Sequence, residues 1–149
     1  MSKKLLEFYH STPVQIRFND LDKLGHVNNS VYQQFLDLGK ISYFDHVLQE
    51  NMDWKAEGLI IASITINFLK PIKLNDSIGV RNKTTRIGNK SLELQQEVFC
   101  STSGEVFASS SSVMVGVNGT TNETIPIPLR WRQRIARFEK DLQLEVKVD

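Results

Sequence analysis

The chain has 149 residues, of which 40% are hydrophobic and 23% charged, a composition that fits a single globular domain over 1–149 and argues against disorder and against a coiled coil. Eighteen Lys and Arg against seventeen Asp and Glu leave a net charge of +1, so neither duplex nucleic acid nor an anionic membrane is implied as a partner. Cys100 is the one cysteine; it forms no internal disulfide and supplies no thiolate cluster, and a reducing cytoplasm is the expected setting.

Near the N-terminus the apolar run Leu5-Leu6 is too short for a signal peptide, and no stretch approaches the ~20 apolar residues of a membrane span. Val14 to Phe18 alternates apolar and polar side chains, which predicts a first strand. Asn19 to Asn29 is rich in Asp, Asn and Gly and reads as a loop. From Val31 the period changes to three and four, with Val31, Phe35, Leu38 and Ser42 beside Tyr32, Leu36, Gly39 and Tyr43. That pattern predicts a helix running to about Val47 or Leu48, capped by Asn28, Asn29 or Ser30. Gly39 in its middle costs helix propensity, which implies close packing on a sheet.

Beyond Gly58 four strands are predicted: Leu59 to Lys70, Ser77 to Ile87, Ser91 to Cys100 and Glu105 to Val117. The short breaks between them favour antiparallel neighbours. Ser109 to Ser112 reads as part of the last strand, with one face of small residues. After Pro126 and Pro128, Trp131, Ile135, Phe138 and Leu142 predict an amphipathic helix with Arg130, Arg134 and Arg137 on another face. The class is α+β, with one long helix on a five-stranded antiparallel sheet. Such a sheet leaves an edge strand to cover, which predicts a homodimer or homotetramer.

Chemistry concentrates in Asn19-Asp20-Leu21-Asp22-Lys23-Leu24-Gly25-His26-Val27-Asn28-Asn29. Two carboxylates, a histidine and amides stand before the helix, where free N–H groups favour developing negative charge. An ordinary turn and N-cap accounts for the same residues. So would a metal set of Asp20, Asp22 and His26, but no further ligand is evident and no metal or bound cofactor is expected.

The run Phe18-Asn19-Asp20-Leu21-Asp22-Lys23-Leu24-Gly25-His26-Val27-Asn28-Asn29, followed by Tyr32, resembles the signature of hotdog-fold acyl-CoA thioesterases of the 4-hydroxybenzoyl-CoA thioesterase-like family, D-x-D-x-x-G-H-V-N-N-x-x-Y in one branch. The likeness extends through Asn67-Phe68-Leu69-Lys70-Pro71, Arg86 to Ser91 and Ile127-Pro128. It implies a hotdog fold, in which the sheet wraps the long helix, and a dimer with the active site between subunits.

It also implies that the second aspartate, Asp22, is general base or nucleophile. The backbone N–H near Asn29 would polarise the thioester carbonyl, and His26, Asn28 and Asn29 would position the carbonyl or water. Another branch carries histidine seven residues after this aspartate, where Asn29 stands here; an amide exchanges no proton near neutral pH. Arg86, Lys90 and Ser91 are candidates to hold coenzyme A phosphates. Tyr32, Phe35, Leu36, Ile60, Ile64 and Phe68 are expected beside an acyl chain, which makes fatty acyl-CoA the expected substrate. Acyl-carrier-protein thioesters, docked on the arginine stripe, and a catalytically silent acyl-binding scaffold are the alternatives.

Overall fold

In a computed structural model that describes residues 6–142, the polar-flanked segment His10–Val14 forms the first strand, β1. After a 3-10 turn at Phe18–Asp20 and a second at Asn29–Val31 comes the long helix α1, Tyr32–Leu48. Strands β2 (Gly58–Phe68), β3 (Ile78–Ile87), β4 (Ser91–Cys100) and β5 (Val106–Val117) follow, and α2 spans Leu129–Phe138. All pairings are antiparallel, in the order β1-β3-β4-β5-β2. This is the α+β hotdog arrangement, one long helix on a five-stranded antiparallel sheet.

The first strand is displaced from its expected place at Val14 to Phe18. Burial does alternate through Val14 and Ile16, but ladder pairing with β3 stops at Val14↔Ile78. Phe18 then enters the 3-10 turn and is 78% exposed. Pro13 lies within β1, which an edge strand accepts because one side of its ladder is unpaired. β2 ends two residues before Lys70, because the Leu69 and Lys70 N–H groups both turn onto the Phe107 carbonyl. Leu142 falls outside α2. The helix stops at Phe138 because the next side chain, Glu139, is drawn into the core, where its carboxylate accepts from Tyr43 Oη (2.6 Å) and Thr84 N (2.9 Å).

The inner face of the sheet carries the core beneath α1. Val31, Tyr32, Phe35 and Leu36 pack with Ile72, Ile78, Val80 and Val98 at one end of the helix. Tyr43, Phe44, Val47 and Leu48 pack with Leu59, Leu92, Met114, Trp131 and Ile135 at the other. Between these clusters Gly39 sits against β3. A Cβ there would lie 2.8 Å from Val80 Cβ and 2.9 Å from Asn82 Oδ1, so the missing side chain is what lets the helix approach the sheet. Gln96 fixes the crossing by donating to the Leu36 carbonyl (2.8 Å) and to Asn82 Oδ1 (2.7 Å). No helix among the described residues is long and apolar enough to cross a membrane.

Candidate active site

The loop before α1 is shaped by its own two carboxylates, and they are used differently. Asp20 is 2% exposed; its carboxylate accepts from Arg17 N (2.8 Å) and Arg17 Nη2 (3.2 Å), while its carbonyl accepts from Asn28 N (2.8 Å). Asp22 is exposed. Its Oδ1 accepts from Leu24 N (2.9 Å) and His26 N (3.2 Å), and its backbone N–H donates to the His26 carbonyl (2.7 Å). Gly25, at φ 79°, supplies the left-handed turn that lets this loop close.

The loop is braced from outside by a segment whose role the sequence pattern gives no sign of. Val27 N donates to the Ile72 carbonyl (2.8 Å), and His26 bridges Lys73. Asn28 then caps the 3-10 turn, its Oδ1 accepting from Ser30 N and Oγ at 3.0 Å each. The side chain of Asn28 is thus committed to the helix start. Asn29 opens that turn, and the N–H groups of a helical first turn have no intrahelical acceptor.

Asp22, His26, Asn29, Tyr32 and Phe68 line one cleft of about 240 Å³, closed by Val27 and by Leu69 to Pro71. Tyr32 is buried and meets Phe68 edge to face at 4.9 Å between ring centroids. Burial pushes the Tyr32 phenol above its ordinary pKa, so it stands here as a neutral wall. Lys70, which sequence reasoning passed over, is the cation on this rim. It pairs with Glu105 at 2.9 Å, and that carboxylate raises the Lys70 pKa.

Other sequence candidates lie elsewhere. Ile64 faces inward with Ser112 and packs on the core below α1, and Phe35 and Leu36 are core side chains. Ile60 is half exposed and pairs with Val115 on the opposite face of the sheet from Met114, so it lies outside any tunnel beneath the helix. Arg86, Lys90 and Ser91 stand at the far end of β3 and β4, about 30 Å away along the strands at roughly 3.3 Å per residue. There Arg86 meets Glu93 at 3.5 Å, Lys90 meets Thr124 at 3.5 Å, and the Gly88 and Asn89 carbonyls accept from Arg132. Within one chain these three residues do not join the Asp22 cleft.

The arginine stripe of α2 is largely occupied. Arg130 pairs with Glu50 (2.9 Å) and Glu57 (2.6 Å), and Arg134 with Glu50 (2.7 Å) and the Leu48 carbonyl (2.6 Å). Asp20 turns to Arg17, away from a set with Asp22 and His26, and among the described residues no three His, Cys, Asp or Glu side chains are grouped so that they could hold a metal ion.

A family model described as the thioesterase-like superfamily matches residues 16–143. The long-chain acyl-CoA thioesterase FadM of Escherichia coli (strain K12) is 22% identical over 132 residues, 87% of this chain and 98% of that protein. The chloroplastic acyl-acyl carrier protein thioesterase ATL3 of Arabidopsis thaliana is 30% identical over 76 residues, 49% of this chain and 40% of that protein. A thioesterase of Thermus thermophilus, solved with coenzyme A and Zn, superposes with a TM-score of 0.79 at 31% identity, covering 91% of this chain and 98% of that one.

Proposed function

This chain belongs to the thioesterase-like superfamily, and from that premise we propose that it is an acyl-CoA thioesterase that hydrolyses fatty acyl-CoA to the free acid and coenzyme A. The observation that carries this reading is Asp22. One carboxylate oxygen is fixed by two backbone N–H groups, and the side chain lines a cleft walled by Asn29, Tyr32 and Phe68. A carboxylate kept only for turn geometry has no need of that cleft.

In the proposed reaction the thioester carbonyl oxygen points at the N–H of Asn29, where developing negative charge is stabilised. Asp22 Oδ2 takes a proton from water as the water oxygen attacks the carbonyl carbon, or attacks that carbon itself to form an anhydride that water then opens. Either way the C–S bond breaks, the acyl carbon gains oxygen from water, and the thiolate sulfur receives the proton. His26, on the cleft wall, orients water. Asn28 acts through the helix start that it caps.

The substrate assignment leans on the relatives whose names give long-chain acyl-CoA and coenzyme A. For acyl-carrier-protein thioesters, the second reading, the basic surface is weak: Arg130 and Arg134 are already paired with Glu50 and Glu57.

Assembly as a homodimer is part of the proposal. β2 is an edge strand with Ile60 and Phe68 exposed on it, and an uncovered apolar edge favours pairing with a second copy. Antiparallel pairing of β2 with β2 about a two-fold sets the Phe68 end of one protomer beside the Gly58 end of the other. Arg86, Lys90 and Ser91 of one chain then approach the Asp22 cleft of its partner.

Release of free thiol from a series of acyl-CoA esters tests the function. The wild type turns over fatty acyl-CoA, and Asp22→Asn loses ~10²–10⁴ in rate or more. Near wild-type hydrolysis by Asp22→Asn would overturn the mechanism, and no thiol release from any ester would overturn the function.

A further inference from the structure

A second cavity lies at the opposite end of α1 from Asp22. It measures about 310 Å³ and is lined chiefly by Ile41, Phe44, Met52, Trp54, Leu59 and Met114. The mechanism makes no use of it. Its walls are mainly apolar, with Lys40, Asp45 and Asn51 as the polar members, yet Ile41 and Trp54 are each 56% exposed, a poor arrangement for a core and a suitable one for an apolar ligand.

The Trp54 ring is held in place before any ligand arrives. It lies against Gly58, where a Cβ would come within 2.7 Å of Trp54 Cε3. The Trp54 carbonyl presses still more closely on Gly119, leaving no room for a side chain there. Thr120 N (3.2 Å) and Thr120 Oγ1 (3.0 Å) both donate to the Lys55 carbonyl, tying this loop to the one after β5. A large exposed ring so buttressed is pre-organised to contact something else.

Within one chain this cavity is out of reach of Asp22, since α1 has 17 residues and spans about 25 Å at 1.5 Å per residue. Across the β2 edge the relation changes. Leu59, in the cavity wall, belongs to the Gly58 end of β2, and Phe68, in the wall of the Asp22 cleft, belongs to the other end. Two-fold antiparallel pairing of that edge brings the cavity of one protomer beside the cleft of its partner.

Building on the dimeric acyl-CoA thioesterase reading, we propose that this cavity receives the distal part of the acyl chain whose carbonyl is held at the partner's Asp22, with Trp54 closing the far end and setting the chain length accepted. Cleavage and chain recognition are thereby divided between protomers.

The test is kcat/KM across butyryl- to palmitoyl-CoA for wild type, Ile41→Trp and Trp54→Ala. Each acyl methylene denied its contacts is worth about fourfold in affinity. Ile41→Trp therefore lowers the palmitoyl-to-butyryl ratio at least tenfold, and Trp54→Ala moves the optimum to longer chains. An unchanged length profile in both variants, or an equal loss at every length, overturns the cavity assignment while leaving thioesterase activity standing. A wild type that releases no thiol from any ester overturns both.

Mixed dimers decide the direction. Differently tagged Asp22→Asn and Ile41→Trp chains are co-expressed, and the mixed dimer is isolated. In it the intact Asp22 belongs to the Ile41→Trp chain and faces the open cavity of the other, so palmitoyl-CoA hydrolysis returns to about half the wild-type rate. If it stays as low as in the Ile41→Trp homodimer, the cavity serves its own chain and the division between protomers is wrong.

Discussion

Asp20 and Asp22 stand two residues apart in one loop, and the environment of each carboxylate separates their roles. Asp20 is buried and fully used by Arg17 and by the turn it stabilises. Replacing it with Ala leaves the Arg17 N–H without its acceptor, and by the usual cost of a lost buried charge-assisted bond should destabilise the fold by about 1–3 kcal/mol. Asp22→Asn keeps an amide oxygen for the N–H groups of Leu24 and His26, so the loop closes as before and only the charge is lost. Thermal unfolding should therefore show a lowered Tm for Asp20→Ala and little change for Asp22→Asn, with kinetics showing the large loss in Asp22→Asn. A normal Tm for Asp20→Ala would undo this division. Both acids were legible in the sequence as a pair beside a helix. Residue type says nothing of which side chain turns inward, and the second was singled out by the family signature alone.

At the scale of elements, the predicted strands and helices come from side-chain periodicity, and they fail where a backbone or polar group decides. Apolar alternation continues past Val14, but hydrogen bonding to β3 ends there; the strand lies earlier, in His10 to Val14, where polar side chains and Pro13 conceal it. The end of α2 is set by Glu139 reaching Tyr43, a contact 96 residues away in sequence that no local period encodes. α2 is also clamped to the end of α1 through Glu50, which accepts from Arg130, Trp131 Nε1 (2.6 Å) and Arg134. These donors, Arg130 foremost, hold the Glu50 pKa down at about 2 from its ordinary 4.5. Because the folded-state value is the lower one, the stabilisation is complete above about pH 4.5 and is lost as pH falls toward 2. Glu50→Gln should cost about 1 kcal/mol at pH 7, given a partly solvated site. Denaturant titrations at several pH values should show that difference shrinking below pH 4.5, and a difference that grew with acid would contradict the clamp.

For the molecule as a whole, the two halves of the sequence-read site differ in how they could be found. Asp22, His26, Asn29 and Tyr32 lie within eleven residues, so a linear pattern carries them, and the cleft gathers them together with Phe68. Arg86, Lys90 and Ser91 lie at the other end of a sheet in which each strand runs its full length away from the cleft. Only the relation between two copies can unite the halves, and a single sequence does not state that relation. If Arg86 and Lys90 of one protomer grip coenzyme A phosphates bound at the other, the two-fold dimer should be the species in light scattering, and charge reversal at both positions should act on the carrier more than on the acyl group. The matched comparison is an acyl-CoA ester and the N-acetylcysteamine ester of the same acid, which keeps the thioester and lacks every phosphate. Arg86→Glu with Lys90→Glu should raise the KM for the coenzyme A ester about thirtyfold relative to the truncated one, because each of the two lost charge-assisted contacts is worth on the order of 1 kcal/mol at an exposed site. Added salt should narrow the wild-type preference for the same reason. Equal responses of the two esters would release both residues from the site and leave them as the solvated tip of a hairpin, with Arg86 paired to Glu93.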